Sequence, residues 1–160
     1  MNIFRNIHIT IAITFTSLVS CENKSIQEAQ IITEERQVIK SEKVISSQEL
    51  DSLSKSTKIS IIDVRKESEF ELGHIQNAIN IWRPQIQNSE QEELMASKEQ
   101  LEQLFSEKGI SNDEVIVIYD AKGNPDALRL WWILYYYGFE NVKILDGGIV
   151  FWEKSNLKIE

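Results

Sequence analysis

Val115-Ile116-Val117-Ile118-Tyr119, followed by Asp120-Ala121-Lys122-Gly123-Asn124-Pro125-Asp126, is the stretch on which the reading of this 160-residue chain turns. An unbroken apolar run rich in β-branched residues suits a parallel strand buried on both faces. The chain then passes through a short glycine-containing loop and restarts as a helix. Asn124 suits the cap, Pro125 the first helical position and Asp126 the positive end, with Gly138 beyond Tyr137 as the stop. Such a loop aims backbone N–H groups and a helix dipole at one point, so residues 120–126 are expected to cradle an anion. Asp120 places a carboxylate at the mouth of that cradle, and the expectation is that this carboxylate itself occupies it.

The signals on either side repeat the same alternation. Ser46-Ser47-Gln48-Glu49 is a capping box, with Leu50 and Leu53 on one face of the short helix it opens. Ile59 to Asp63 is a β-branched strand, Glu67 to Leu72 a helical turn ended by Gly73, and Ala78 to Ile81 a brief strand. Trp82 to Met95 reads as a long polar loop. Ser97-Lys98-Glu99-Gln100 is a second capping box, followed by Leu101, Leu104 and Phe105 at helical spacing and by Gly109 as the stop. Val142 to Leu145 is a strand, Asp146-Gly147-Gly148 a turn, and Ile149 to Lys154 a last helix. Strands alternating with helices imply an α/β fold with a central parallel sheet flanked by helices on both faces.

One domain, residues 43–160, accommodates these elements. Ahead of it, residues 1–20 read as a signal peptide: Arg5 precedes an apolar stretch too short to span a bilayer comfortably. That stretch ends in Leu18-Val19-Ser20-Cys21, which resembles the lipobox of bacterial lipoproteins, in which the cysteine is acylated. The alternative is a buried free cysteine behind an ordinary signal peptide. Residues 21–42 then form a tether, and the expected location is the bacterial cell envelope, anchored to membrane lipid through acylated Cys21. Loss of residues 1–20 removes Arg5 and no acid, moving the net charge from −8 to −9. That charge argues against a nucleic-acid partner and leaves no polybasic patch to assist the anchor. A lone cysteine excludes an internal disulfide.

Three segments carry more than periodicity. Asp63-Val64-Arg65 with Glu69 and Gly73-His74-Ile75-Gln76-Asn77-Ala78-Ile79-Asn80, then Tyr119-Asp120 with its loop, then Leu145-Asp146-Gly147-Gly148 before Trp152, together resemble the rhodanese superfamily of sulfurtransferases. The resemblance spans about Val44 to Trp152. It implies a rhodanese-like fold and, in active members, a cysteine at the end of the central strand that carries a persulfide. Asp120 stands at that position here and cannot carry sulfane sulfur. No catalytic residue is therefore expected in this chain, and no cofactor. With Arg129-Leu130-Trp131-Trp132, the pattern is most similar to the N-terminal, non-catalytic half of two-domain thiosulfate or 3-mercaptopyruvate sulfurtransferases. This implies a scaffold whose partner is a second rhodanese-like half. The alternative is a free-standing inactive module that binds a protein or a small sulfur anion.

Individual residues keep two readings each. His74 either orders its turn or serves as a base. Asp63 and Arg65 either hydrogen-bond the loops at the carboxyl edge of the sheet or touch a ligand. Trp131, Trp132, Tyr135, Tyr136 and Tyr137 belong to the core or a domain interface, or else line a pocket. Asp120 either fills its own loop's anion cradle or serves as a general base in an unrelated catalytic use; with no accompanying His or Cys cluster, no metal site is expected.

Overall fold

The computed structural model describes residues 43–160 except 89, 92, 93 and 124, together with Ile26, Gln27 and Gln30. The expected signal peptide, Cys21, nearly all of the expected 21–42 tether and the expected Asn124 cap lie outside the described residues.

The alternation read from the sequence folds into five parallel strands in the order β1-β5-β4-β2-β3. These are β1 (Val44–Ile45), β2 (Ile59–Asp63), β3 (Ala78–Asn80), β4 (Val115–Tyr119) and β5 (Val142–Leu145). The apolar run that opens the sequence argument is the central strand β4, paired with β2 from Ile59↔Val115 to Asp63↔Tyr119 and with β5 from Ile116↔Val142 to Ile118↔Ile144. Its side chains alternate between two cores, which is why it carries no polar residue. Ile116 and Ile118 face a core with α3 (Lys98–Lys108) and α4 (Pro125–Tyr136), through Leu101, Phe105, Leu130, Ile133 and Leu134. Val117 and Tyr119 face a second core with α1 (Ser47–Ser56) and α5 (Gly148–Lys154), through Leu50, Ile149 and Trp152. The short helix α2 (Glu67–Glu71) lies between β2 and β3.

Both capping boxes form. The Ser46 side chain accepts from the Glu49 N–H while Glu49 Oε2 accepts the Ser46 N–H at 2.8 Å, and Ser97 and Gln100 do the same for α3. These Ser46 bonds, the side-chain one foremost, hold the Glu49 carboxyl below its ordinary value. Gly109 ends α3 in the left-handed conformation, as its place after the last apolar residue predicts.

The 82–95 segment departs from a plain polar loop. Arg83–Ile86 forms a 3₁₀ turn whose Ile86 is fully buried, and Gln87 pairs with Met95 in an isolated antiparallel bridge. A single apolar residue among polar ones anchors the segment, and one residue leaves no periodicity to read. Ile81 lies just past β3, and its N–H donates to the Asp63 carbonyl.

Candidate functional site

The carboxyl ends of β2 and β4 meet at one place, and the polar residues gathered there are buried. Asp63 ends β2 with no exposure at all. Its carboxylate takes Arg65 Nε at 3.0 Å and Nη2 at 2.6 Å, along with the Arg65 backbone N–H at 2.9 Å. Arg65 Nη2 also donates to the Gly73 carbonyl at 2.8 Å. Asn80 Nδ2 donates to the carbonyls of Asp63 and Arg65, tying β3 to the same corner. Across the sheet, the Tyr119 hydroxyl accepts the Ile75 N–H at 3.1 Å, and the Arg65 guanidinium lies 5.8 Å from the centre of the Tyr119 ring. Burial above all, then the Asp63 charge, pushes the Tyr119 phenol far up. Burial works against the Arg65 guanidinium, yet the Asp63 hydrogen bond and charge carry it above its ordinary value. Asp63 and Arg65 thus bind the loops at the sheet edge.

His74 belongs to the same turn. Its ring stacks on Phe70 at 3.7 Å, Nδ1 lies 3.0 Å from the Phe70 carbonyl, and Nε2 lies 3.6 Å from Glu160 Oε1. With its backbone also paired to that of Glu160, it holds the 70–77 segment in shape.

The 120–126 loop emerges from β4 directly above this network. Asp120 is 3% exposed. Its Oδ1 accepts the Gly123 N–H at 2.6 Å, while Oδ2 is buried with no partner among the described residues. Among the described residues the loop gives the carboxylate one backbone donor, the Gly123 N–H; Pro125 at the start of α4 has no N–H to offer. The loop's own carbonyls are held from outside. At the start of α5 the Ile149 N–H donates to Asp120 O at 3.0 Å, and the Val150 N–H donates to Ala121 O at 3.1 Å. This close approach requires Gly148: its φ is +57°, and a Cβ there would run into the Asp120 carbonyl and lie 2.9 Å from Ala121 C. The Asp146-Gly147-Gly148 turn thus clamps the loop that follows β4.

Beside Asp120 opens a cavity of about 380 Å³ whose walls include Arg65, Lys66, Trp82, Arg83 and Asp126. Arg83 reaches across it to Asp126, Nη1 to Oδ1 3.3 Å. Lys66, Trp82 and Arg83 are additions to the sequence reading, because they lie in segments without a periodic or motif signal. A slightly larger hollow, about 410 Å³, opens beside the amino end of β2 and touches none of the loop. Among the described residues, no three His, Cys, Asp or Glu side chains gather to hold a metal ion. The aromatic residues of α4 divide. Trp131 and Tyr137 are half-buried and hydrogen-bonded to Val142 O and Ala96 O, whereas Trp132, Tyr135 and Tyr136 are exposed and so are not part of this domain's core.

A model of the rhodanese-like domain family matches residues 46–155, from the first capping box to the end of α5. This chain belongs to the rhodanese-like domain family. It is 30% identical over 116 residues to a Mycolicibacterium smegmatis protein named "Putative thiosulfate sulfurtransferase", covering 71% of this chain and 42% of that one. It is 42% identical over 52 residues to the Arabidopsis thaliana mitochondrial thiosulfate/3-mercaptopyruvate sulfurtransferase 1. That match covers 32% of this chain and 14% of the plant enzyme. Among solved structures, the Escherichia coli 3-mercaptopyruvate sulfurtransferase SseA superposes with a TM-score of 0.67 at 26% identity, covering 73% of this chain and 49% of its own. A Bacillus halodurans protein shares the fold, with a TM-score of 0.63 at 22% identity over 82% of this chain and 85% of its own. The chain spans less than half the length of these curated relatives.

The buried pair yields a stability prediction. Arg65→Met strands the Asp63 carboxylate without its partner and is expected to cost about 3–5 kcal/mol in urea unfolding. Adding Asp63→Asn should return a substantial part of that loss, since the uncompensated charge is then gone. Equal stability of the wild type and Arg65→Met would show that the pair does not hold this corner.

Proposed function

We propose that this is a catalytically silent rhodanese-like domain that scaffolds one wall of a sulfurtransferase site completed by a second rhodanese-like half. The observation that carries this reading is Asp120. It occupies the end of the central strand, its carboxylate folded onto the Gly123 N–H, at the position where the family resemblance calls for a cysteine. A carboxylate cannot form a persulfide, and the chain's one cysteine, Cys21, lies outside the domain. The intact carboxyl edge supports a positioning role. The Asp63–Arg65–Tyr119 network and the Gly148 clamp supply that rigidity whether or not a nucleophile is present.

In this reading the domain is a lipoprotein of the cell envelope, held to membrane lipid through acylated Cys21 and the 21–42 tether. The residues that support it are Leu18-Val19-Ser20-Cys21 behind an apolar segment.

A second reading, favoured by Lys66 and Arg83 in the wall of the Asp120 cavity, is a free-standing module that binds a small sulfur anion such as thiosulfate. Both cations are on the solvent side of the cleft and Arg83 is already paired with Asp126, so the scaffold reading is preferred.

Two outcomes follow. A chain carrying Cys21→Ser, which contains no thiol, is expected to form thiocyanate from thiosulfate and cyanide no faster than the buffer blank. Turnover at an enzymic rate would overturn the silent-domain reading. In cells fed labelled palmitate, the wild-type chain should take up label and Cys21→Ser should not; equal labelling of the two would remove the lipid anchor.

A further inference from the structure

Helix α4 is apolar on two sides. Ala127, Leu130, Ile133 and Leu134 fill the core, yet Leu128, Trp132, Tyr135 and Tyr136 are 54, 52, 60 and 61% exposed. The exposed four fall at i, i+4, i+7 and i+8, a single stripe along the helix. Their rings are ordered: Trp132 stacks on Tyr136 at 5.6 Å, and Trp131 on Tyr135 at 5.4 Å. Beyond Arg129 the helix has no charged residue, in a chain with 25 acids. Scattered exposed apolar residues need no explanation, but a contiguous stripe of large ones signals a surface that meets something.

Composition and connectivity point to the same occupant. Trp and Tyr carry an apolar ring with a polar tip, the chemistry suited to the headgroup layer of a bilayer. The chain enters the domain near the segment that follows the C-terminal end of α4. Lys43 Nζ donates to the Glu140 carbonyl at 3.3 Å, and Glu140 lies just past the C-terminal end of α4, where Tyr135 and Tyr136 sit. From Cys21 to Lys43 the chain can reach at most about 75 Å fully extended, roughly twice the ~35 Å width of a domain of this size. A lipid-held Cys21 therefore keeps the stripe at high effective concentration near the bilayer, where a weak contact suffices. Because α4 runs back from the carboxyl edge of the sheet, its aromatic end lies away from the Asp120 cleft.

We propose that the Leu128–Trp132–Tyr135–Tyr136 face of α4 rests in the interfacial layer of the membrane that holds the chain, orienting the domain with its cleft turned away from the lipid. This rests on the lipid-anchor reading of Cys21. The face has no basic cluster, so the contact is aromatic partitioning and is insensitive to salt.

The test couples the full chain, through its one thiol at Cys21, to a maleimide phospholipid in phosphatidylcholine vesicles with brominated acyl chains. The anchor is then supplied whatever happens to Cys21 in cells, and palmitate labelling reports on that separately. Wild-type tryptophan emission is expected to be quenched by the bromolipid. The quenched component should vanish in Trp132→Phe and fall at least twofold in a Leu128→Ser/Tyr136→Ser variant, with no change on raising salt. Quenching together with absent palmitate labelling would support the face while rejecting the natural anchor. Absent quenching, or quenching untouched by Trp132→Phe, would overturn the proposal. So would a vesicle-free dimer that the Leu128→Ser/Tyr136→Ser variant dissolves, because the face would then bind a second copy.

Discussion

A carboxylate with no solvent exposure has to be matched, and Asp63 is matched by a guanidinium two residues away in the chain. That pairing sets the rest of the carboxyl edge. Arg65 bends back over the end of β2 to meet Asp63, and in doing so its free donor reaches the Gly73 carbonyl. Tyr119, the last residue of the central strand, completes the corner by pinning Ile75. Desolvating two charges is repaid only when geometry and extra hydrogen bonds are good, and here the carboxylate collects three donors from one residue. The loop after β4 grows from this fixed floor, and the start of α5 fixes it from the other side through two N–H bonds that only a glycine at 148 permits. The two devices share no residue, yet they hold the same loop.

Much of this was legible in the sequence because the signals were local. The capping boxes at Ser46 and Ser97 name both ends of their own interactions, and Gly109 marks its helix end by position alone. The alternating parallel α/β fold followed from a central strand too apolar to face water on either side. The importance of Asp63, Arg65 and Gly148 could be read from motif spacing, but their partners could not. Tyr119 is set opposite Asp63 by the β2–β4 register, and Gly73 and Ile75 meet Arg65 and Tyr119 through the path of the 66–77 segment, neither of which a single sequence displays. The Asp120 loop was legible in kind and not in number: the strand–glycine–helix pattern announces N–H donors, but only the path of the backbone decides how many meet the carboxylate. Ile86, Lys66, Trp82 and Arg83 lie in segments without period and so gave no signal. The outward stripe of α4 was hidden for a different reason. Its aromatics read as core or domain interface, and the sequence holds nothing that tells which of them go to which.

The proposed scaffold and the proposed membrane face share one construction. A domain in the proposed role supplies shape and position. The polar corner and the Gly148 clamp give shape at the carboxyl edge, while the far end of α4 offers a surface suited to orientation. The two lie at opposite ends of the same helix, so function at one leaves the other unencumbered.

The central claim is that the anion place in the β4 loop is taken by the chain's own carboxylate. Urea unfolding of the wild type and of Asp120→Asn, each with and without sulfate, tests it most directly, because a ligand that binds only the folded state raises stability with its concentration. The account predicts that sulfate leaves the wild-type midpoint where it was and raises that of Asp120→Asn, whose neutral side chain no longer repels an anion. Equal stabilisation of both proteins by sulfate would contradict it, placing the anion at Lys66 and Arg83 and making Asp120 a bystander.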